Sequence, residues 1–265
     1  MKLMSRIALS ILTASLVLPG SAAMGQDEKL QKAMEFFSTA GIPGDRWIEG
    51  ETMMPHVAPA QHLNATLLYY PGTEELQDDE VRVIFMGSTY YPSQSQSGMN
   101  ILVQLGNGDN LVFDFGIGSL RNYGSMRIPS NKINDIFFTH LHMDHMGDLP
   151  YFMMFRPIQG GWTPLNIYGP SGSEEKYGIA HLVKHMMKMT AWHQDSFHGW
   201  TIGEGYDPVV HEFDFMKEGE VINDRNGAKV IHWPTSHTKD GASIYSLDWI
   251  GRSVGSAGDK LRESL

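Results

Sequence analysis

The stretch THLHMDHMGD, residues 139–148, gathers His140, His142, Asp144 and His145 within six positions. The apolar run Ile136, Phe137, Phe138 leads straight into it. Imidazole nitrogen and carboxylate oxygen are what zinc and similar ions bind, at about 2.0–2.2 Å. On an extended segment alternate side chains share a face, so His140 and His142 can meet one ion. Asp144 and His145 come once the chain turns, and can face a second ion about 3.5–4 Å away. Two ions so spaced can share a hydroxide, because a bound cation lowers the pKa of water. The competing reading is a His-rich surface loop; three histidines and an aspartate directly after a buried strand argue against it. Four ligands do not complete two sites, so more must come from elsewhere in the chain.

The elements around the motif have an α/β order. VRVIFMGS, from Val81, reads as a strand ending in a Gly turn. MNILVQL (99–105) and NLVFDFG (110–116) read as strands joined by the turn Gly106-Asn107-Gly108-Asp109. Residues 134–139 form a short, nearly all-apolar strand, which predicts burial on both faces. The histidines then lie at its C-terminal end, where open α/β sheets place their sites. GDLPYFMMF begins a helix, PLNIYGP is a strand, and 171–189 is a helix capped by Ser171 or Ser173. AKVIHWPTSH and ASIYSLDW are further strands, and GRSVGSAGD returns from the second as a hairpin.

Composition sets outer bounds. The chain has 265 residues, 42% hydrophobic and 19% charged, enough for one substantial core. The first residues have the order of a secretory signal: Lys2 and Arg6, an apolar run from Ile7 to Leu18, then small residues placed for cleavage after Ala23 or Gly25. The domain reading is a signal peptide over 1–25, a helix (27–40) and Pro-, Gly- and His-rich arm within 26–78, and one domain over 79–265. An exported protein, periplasmic or secreted, is expected, without a transmembrane segment once the signal is removed; an uncleaved anchor is the alternative. Cysteine is absent, which excludes thiolate zinc sites and cysteine nucleophiles. Removing 1–25 leaves 18 Lys and Arg against 30 Asp and Glu, a net −12. No run of Lys and Arg exists, so nucleic acid is a disfavoured partner and a small-molecule substrate is expected.

The motif H-x-H-x-D-H after a short apolar strand resembles the metallo-β-lactamase-fold hydrolases, nearest to the branch with ribonuclease Z and the arylsulfatase- and phosphodiesterase-type enzymes. The resemblance covers about residues 81–259. VRVIFMGS resembles the family's first strand and Gly turn, LVFDFGIG its Asp-x-Gly motif, and THLHMDHMGDLP its central motif, with Gly147 and Asp148. It implies an αββα sandwich, with Asp114 behind the metal site. HWPTSHTKDGASIYSLDWIGRSVGSAGD has the shape of the family's later ligands. This implies His237 as the third histidine on the first ion and Asp259 as the carboxylate bridging both. His232 competes with His237 but lacks the succeeding Asp240-Gly241-Ala242-Ser243-Ile244-Tyr245-Ser246-Leu247 context. The implied activity is hydrolysis by a metal-held hydroxide, with two divalent ions, zinc first among them. Asp144 would orient the hydroxide or take its proton. A small ester, phosphodiester, sulfate ester or lactam is the expected substrate class, with ribonuclease Z-like phosphodiester cleavage as the alternative.

The family adds a final histidine after the bridging Asp, whereas this sequence ends at Leu265. The expectation is therefore a sandwich lacking its last strands and helices, with a weak second site. A truncated product, a natural short variant, and replacement by His181, His185, His193 or His198 all remain open, as does a catalytically impaired metal-binding relic. His181 and His185 have the spacing of a metal pair but read as a helix face. His193, Asp195 and His198, grouped with two tryptophans in WHQDSFHGW, read as a loop lining a substrate pocket. Met143, Met146, Met153 and Met154 read as core filler.

Overall fold

The computed structural model describes residues 75–197 and 203–256. The signal segment, the helix expected over 27–40, His198 and Asp259 lie outside the described residues.

A six-stranded sheet has the order β1 (Val81–Gly87), β2 (Asn100–Leu105), β3 (Asn110–Phe113), β4 (Asp135–Phe137), β5 (Asn166–Pro170), β6 (Val209–Phe213). The pairs β1–β2 and β2–β3 are antiparallel; β3 through β6 run parallel. Each parallel step returns through helix: α1 (Ser119–Ser125), then α2 (Met143–Met146) and α3 (Leu149–Phe155), then α4 (Ile179–Met189) and α5 (Ala191–Phe197). A four-stranded antiparallel sheet comes next: β7 (Glu220–Arg225), β8 (Ala228–Pro234), β9 (Ser243–Trp249) and β10 (Arg252–Ser256), in the order β10-β9-β8-β7.

Strict alternation along the central strands divides two cores. Leu102, Val112, Ile136 and Ile167 point to the helices, where they meet Phe152 of α3 and Ile179 and Val183 of α4. Their neighbours Val103, Leu111, Phe113, Phe137 and Tyr168 point the other way, onto Val230, Tyr245, Leu247 and Trp249 of the second sheet. This is why β4 looks continuously apolar: it is covered on both faces. The result is the helix–sheet–sheet part of the expected αββα sandwich.

Several local expectations need correction. The helix expected from 171 begins at Ile179, because Gly172 turns the chain at φ +68 and residues 175–177 form a separate 3₁₀ turn. Its first turn is held by Glu212, whose Oε2 accepts from the Ala180 N–H at 2.8 Å, and not by a serine cap. WHQDSF lies in helix α5 instead of a loop. Met143 is 63% exposed and so is no core filler, unlike Met153 and Met154. Strands β6 and β7 have no counterpart among the strands expected from the sequence. Only one residue of each is buried, Phe213 and Asn223, so neither carries an apolar alternation. Asn226-Gly227, at φ 51 and 80, forms the β7–β8 turn.

Candidate metal centre

β4 is three residues long, and the loop leaving it is held from behind by Asp114. This residue leaves β3 at φ 59, a conformation that few residues other than Gly, Asn and Asp adopt. Buried Asn100 donates to its carbonyl at 2.9 Å and accepts from Tyr123 Oη–H at 2.9 Å. The Asp114 carboxylate accepts from the Thr139 N–H (2.8 Å), from Thr139 Oγ1–H (2.8 Å to Oδ2) and from His145 Nδ1 (2.8 Å). The histidine loop is tied down by Met99 N–H donating to Asp144 O at 2.8 Å and Phe115 N–H donating to His145 O. Gly116 is needed here, since a Cβ at that position would stand 1.9 Å from Asp144 O.

These bonds set the tautomers. A carboxylate only accepts, so the His145 Nδ1 carries the proton and its Nε2 keeps a lone pair. Thr139 Oγ1 has one hydrogen, given to Asp114. It can therefore only accept from His140 Nδ1, 3.1 Å away, which leaves His140 Nε2 with its lone pair too. Burial, and then the imidazoles of His145, His237 and His142, pushes the His140 pKa down to about 2. His140 is thus a neutral imidazole at physiological pH, the form able to ligate a metal.

Three imidazoles converge. His140 Nε2 lies 3.0 Å from His142 Nδ1, and His237 Nε2 lies 3.1 Å from the same atom. One ligand atom from each fits within a 4.8 Å span. Tetrahedral ligands at about 2.0–2.1 Å from zinc stand about 3.3–3.4 Å from one another. The donor set therefore fits a zinc-like ion with small adjustments. Beside it, Asp144 Oδ2 lies 3.5 Å from His145 Nε2, and the His140 and His145 rings stand 4.0 Å apart. A carboxylate and an imidazole lone pair thus face a second position next to the first.

His237 is delivered by the loop between β8 and β9. Thr235 N–H donates to Ala242 O at 3.1 Å, closing the loop, and Ser243 N–H donates to Thr139 O at 2.8 Å. Tyr245 Oη–H donates to Phe138 O, so β9 is stitched to the end of β4. Thr238 Oγ1 reaches His142 Nε2 at 3.4 Å. His232, the competitor, is fully buried in β8 with its ring against Phe213, away from the trio.

The other candidates fall elsewhere. His193 Nε2 meets Met154 O at 3.1 Å, and its ring packs on Phe155 and Phe197; Asp195 is exposed. His181 and His185 stack at 4.0 Å on α4, with His185 Nδ1 2.8 Å from His181 O. Thr139 has no role in the sequence reading, although a hydroxyl residue immediately before His140 is a visible signal. Asn100 and Tyr123 carry no such local signal, and Tyr245 stands in the sequence reading only as part of the 240–247 context. Among the described residues no helix is long and apolar enough to cross a membrane.

The sequence profile described as Metallo-beta-lactamase superfamily matches residues 97–248. The ribonuclease Z of Methanothermobacter thermautotrophicus is 30% identical over 159 residues, 60% of this chain and 45% of that protein. The ribonuclease Z of Lacticaseibacillus casei is 42% identical over 86 residues, 32% of this chain and 27% of its own. The chain thus spans less than half the length of these curated relatives. Among solved structures, the human tRNase Z short form superposes with a TM-score of 0.52 at 20% identity, covering 67% of this chain and 68% of that one. A yeast long-form RNase Z gives 0.54 at 12% identity, covering 81% and 34%. With its histidine loop and strands β2 to β8 inside the matched region, the chain belongs to the metallo-β-lactamase superfamily.

Proposed function

We propose that the chain is a metal-dependent hydrolase acting on a small ester, phosphodiester or sulfate ester. The observation that carries this reading is the meeting of His140 and His142 with His237, 95 positions away from His142, at 3.0–3.1 Å between ligand atoms. His140, His142 and His237 would hold one zinc-like ion, and Asp144 and His145 a second. Ions held there would polarise the bond to be cleaved and make a water acidic enough to attack it. Asp144, half-buried beside His145, would orient that water or take its proton. Asp114 and Thr139 keep both buried imidazoles in the ligating tautomer. Asp259 is the proposed bridge. In its favour, β10 runs toward the site: Ser256 pairs with Tyr245, two residues from Ser243, which bonds Thr139.

The test is metal analysis of the purified chain together with aryl phosphodiester, aryl sulfate, aryl ester and β-lactam reporters. Two zinc ions per chain and one reporter turned over are the expected result. Fewer than one ion with every reporter silent would leave the impaired relic in its place.

The second reading is a ribonuclease Z-like phosphodiesterase, favoured by the names of the matched relatives. It would bring RNA back as a partner, against a net charge of −10 and no basic run. Cleavage of a tRNA precursor with a 3′ extension, absent for the small reporters, would select it. Export belongs to the first reading. A periplasmic form whose mass begins at residue 24 or 26 supports it, and a cytosolic full-length form counts against it.

A further inference from the structure

We infer that Lys239 reads an anionic group on the substrate, so that the site prefers singly charged phosphodiesters and sulfate esters to neutral esters. The inference rests on the proposed hydrolase activity and names the substrate class within it.

Lys239 lies two residues after His237 and directly after Thr238, whose hydroxyl is 3.4 Å from His142 Nε2. It therefore belongs to the loop that completes the imidazole trio. Its ammonium stands 4.1 Å over the ring of Tyr177. Tyr177 sits on the 3₁₀ turn after β5, at the same sheet end as the histidines. The two loops touch: a Cβ on Gly241 would meet Gly172 Cα at 3.1 Å.

A ring face orients a cation without neutralising it, because the attraction is to a quadrupole and not to a counter-charge. Lys176 shows the contrast. It approaches the same ring at 4.8 Å, but Glu174 pairs with it at 2.9 Å. No carboxylate of the described residues lies within ion-pair distance of Lys239. In a chain of net charge −10, an ammonium held over a ring by the loop that carries His237, with no carboxylate of the described residues paired to it, is suited to select an anion.

The probe is phenylphosphonate, titrated calorimetrically into the zinc-loaded full chain, a readout that needs no turnover. Lys239→Ala should weaken binding about fivefold, the upper end for an exposed charge pair. Lys239→Arg should restore most of it, and Lys176→Ala should weaken it less. In parallel, the kcat/KM ratio of bis(p-nitrophenyl) phosphate over p-nitrophenyl acetate should fall about fivefold in Lys239→Ala. Absent binding, equal affinity in Lys239→Ala, or an equal loss in Lys176→Ala overturns the inference. Silent reporters with the phenylphosphonate shift intact would instead sink the hydrolase reading and leave Lys239 as an anion-binding group.

Discussion

β4 carries a polar cluster at each end, and the two are finished differently. At its start, Asp135 pairs with Arg225 of β7, and neighbouring Asn166 on β5 holds His211 Nε2 at 3.2 Å. The His211 ring stacks on Tyr168 at 4.3 Å, and Tyr168 Oη–H reaches Asn223 Oδ1 at 3.5 Å. Each of these contacts sets a donor against an acceptor or a ring against a ring, so the cluster closes on itself and locks one sheet to the other. At the far end the bonds run to the backs of the imidazoles. Asp114 and Thr139 accept hydrogen bonds from the Nδ1–H groups of His145 and His140 and leave lone pairs facing forward. The same kinds of residue thus make a fastener at one end and a ligand cage at the other. What differs is whether a third group holds the polar side chains from behind.

That contrast can be broken from the cage side first. His237→Ala should remove about one ion per chain in metal analysis and lower reporter turnover by on the order of a thousandfold. His232→Ala, five residues earlier, should retain the metal while losing stability. Equal metal loss in both variants would put the ligand on the wrong histidine.

Asp114→Asn leaves one acceptor oxygen where Thr139 and His145 use two; with that oxygen on the Thr139 N–H, an NH2 donor faces His145 Nδ1 and no longer fixes its tautomer. Metal affinity should drop about 10–100-fold in competition with a chromophoric chelator, while all ligands remain in place. Unchanged affinity would mean that the cage needs no backing, and the contrast between the two ends of β4 would fail.

Phe137→Ala probes the layer between the two ends. The ring is fully buried, 4.4 Å from the Tyr168 ring and 5.2 Å from that of Phe113. Urea unfolding should report a loss of about 3–5 kcal/mol.

The β9–β10 turn offers a gain. Ile250 holds φ 48 where Asn226 holds φ 51 in the β7–β8 turn, and a β-branched residue is strained there. Ile250→Asn should raise stability by about 1–2 kcal/mol, read from the denaturation midpoint.

The smallest effect belongs to the fastener. Burial raises the Asp135 pKa above its ordinary 3.8, ahead of the opposing pull of Arg225. The folded state then binds more protons than the unfolded one, so stability falls as pH rises from 3.8 through the folded value. Asp135→Asn should flatten that slope, and Arg225→Gln should cost no more than about 1 kcal/mol at neutral pH.

The metal motif and the element that presents it are legible in the amino-acid order alone. His140, His142, Asp144 and His145 are local, and the apolar run before them marks a strand covered on both faces, as Phe137 and Ile136 prove to be. The β2–β3 hairpin and the return of β10 are legible for the same reason: turn chemistry and alternation act over a few residues. Strands β6 and β7 are not, because each buries only one residue and gains its place by pairing with a neighbour. The 240–247 context already points to His237 over His232, and packing separates the two. Both imidazoles sit near the end of β8, and their separation depends on a loop closed by Thr235 and Ala242 and stitched to Thr139 by Ser243. Packing also sets the tautomers, since the proton positions on His140 and His145 depend on Asp114, at the end of a different strand. Ligand types are written residue by residue, but the aim of a lone pair depends on bonds from distant segments, which exist only once the sheets have packed.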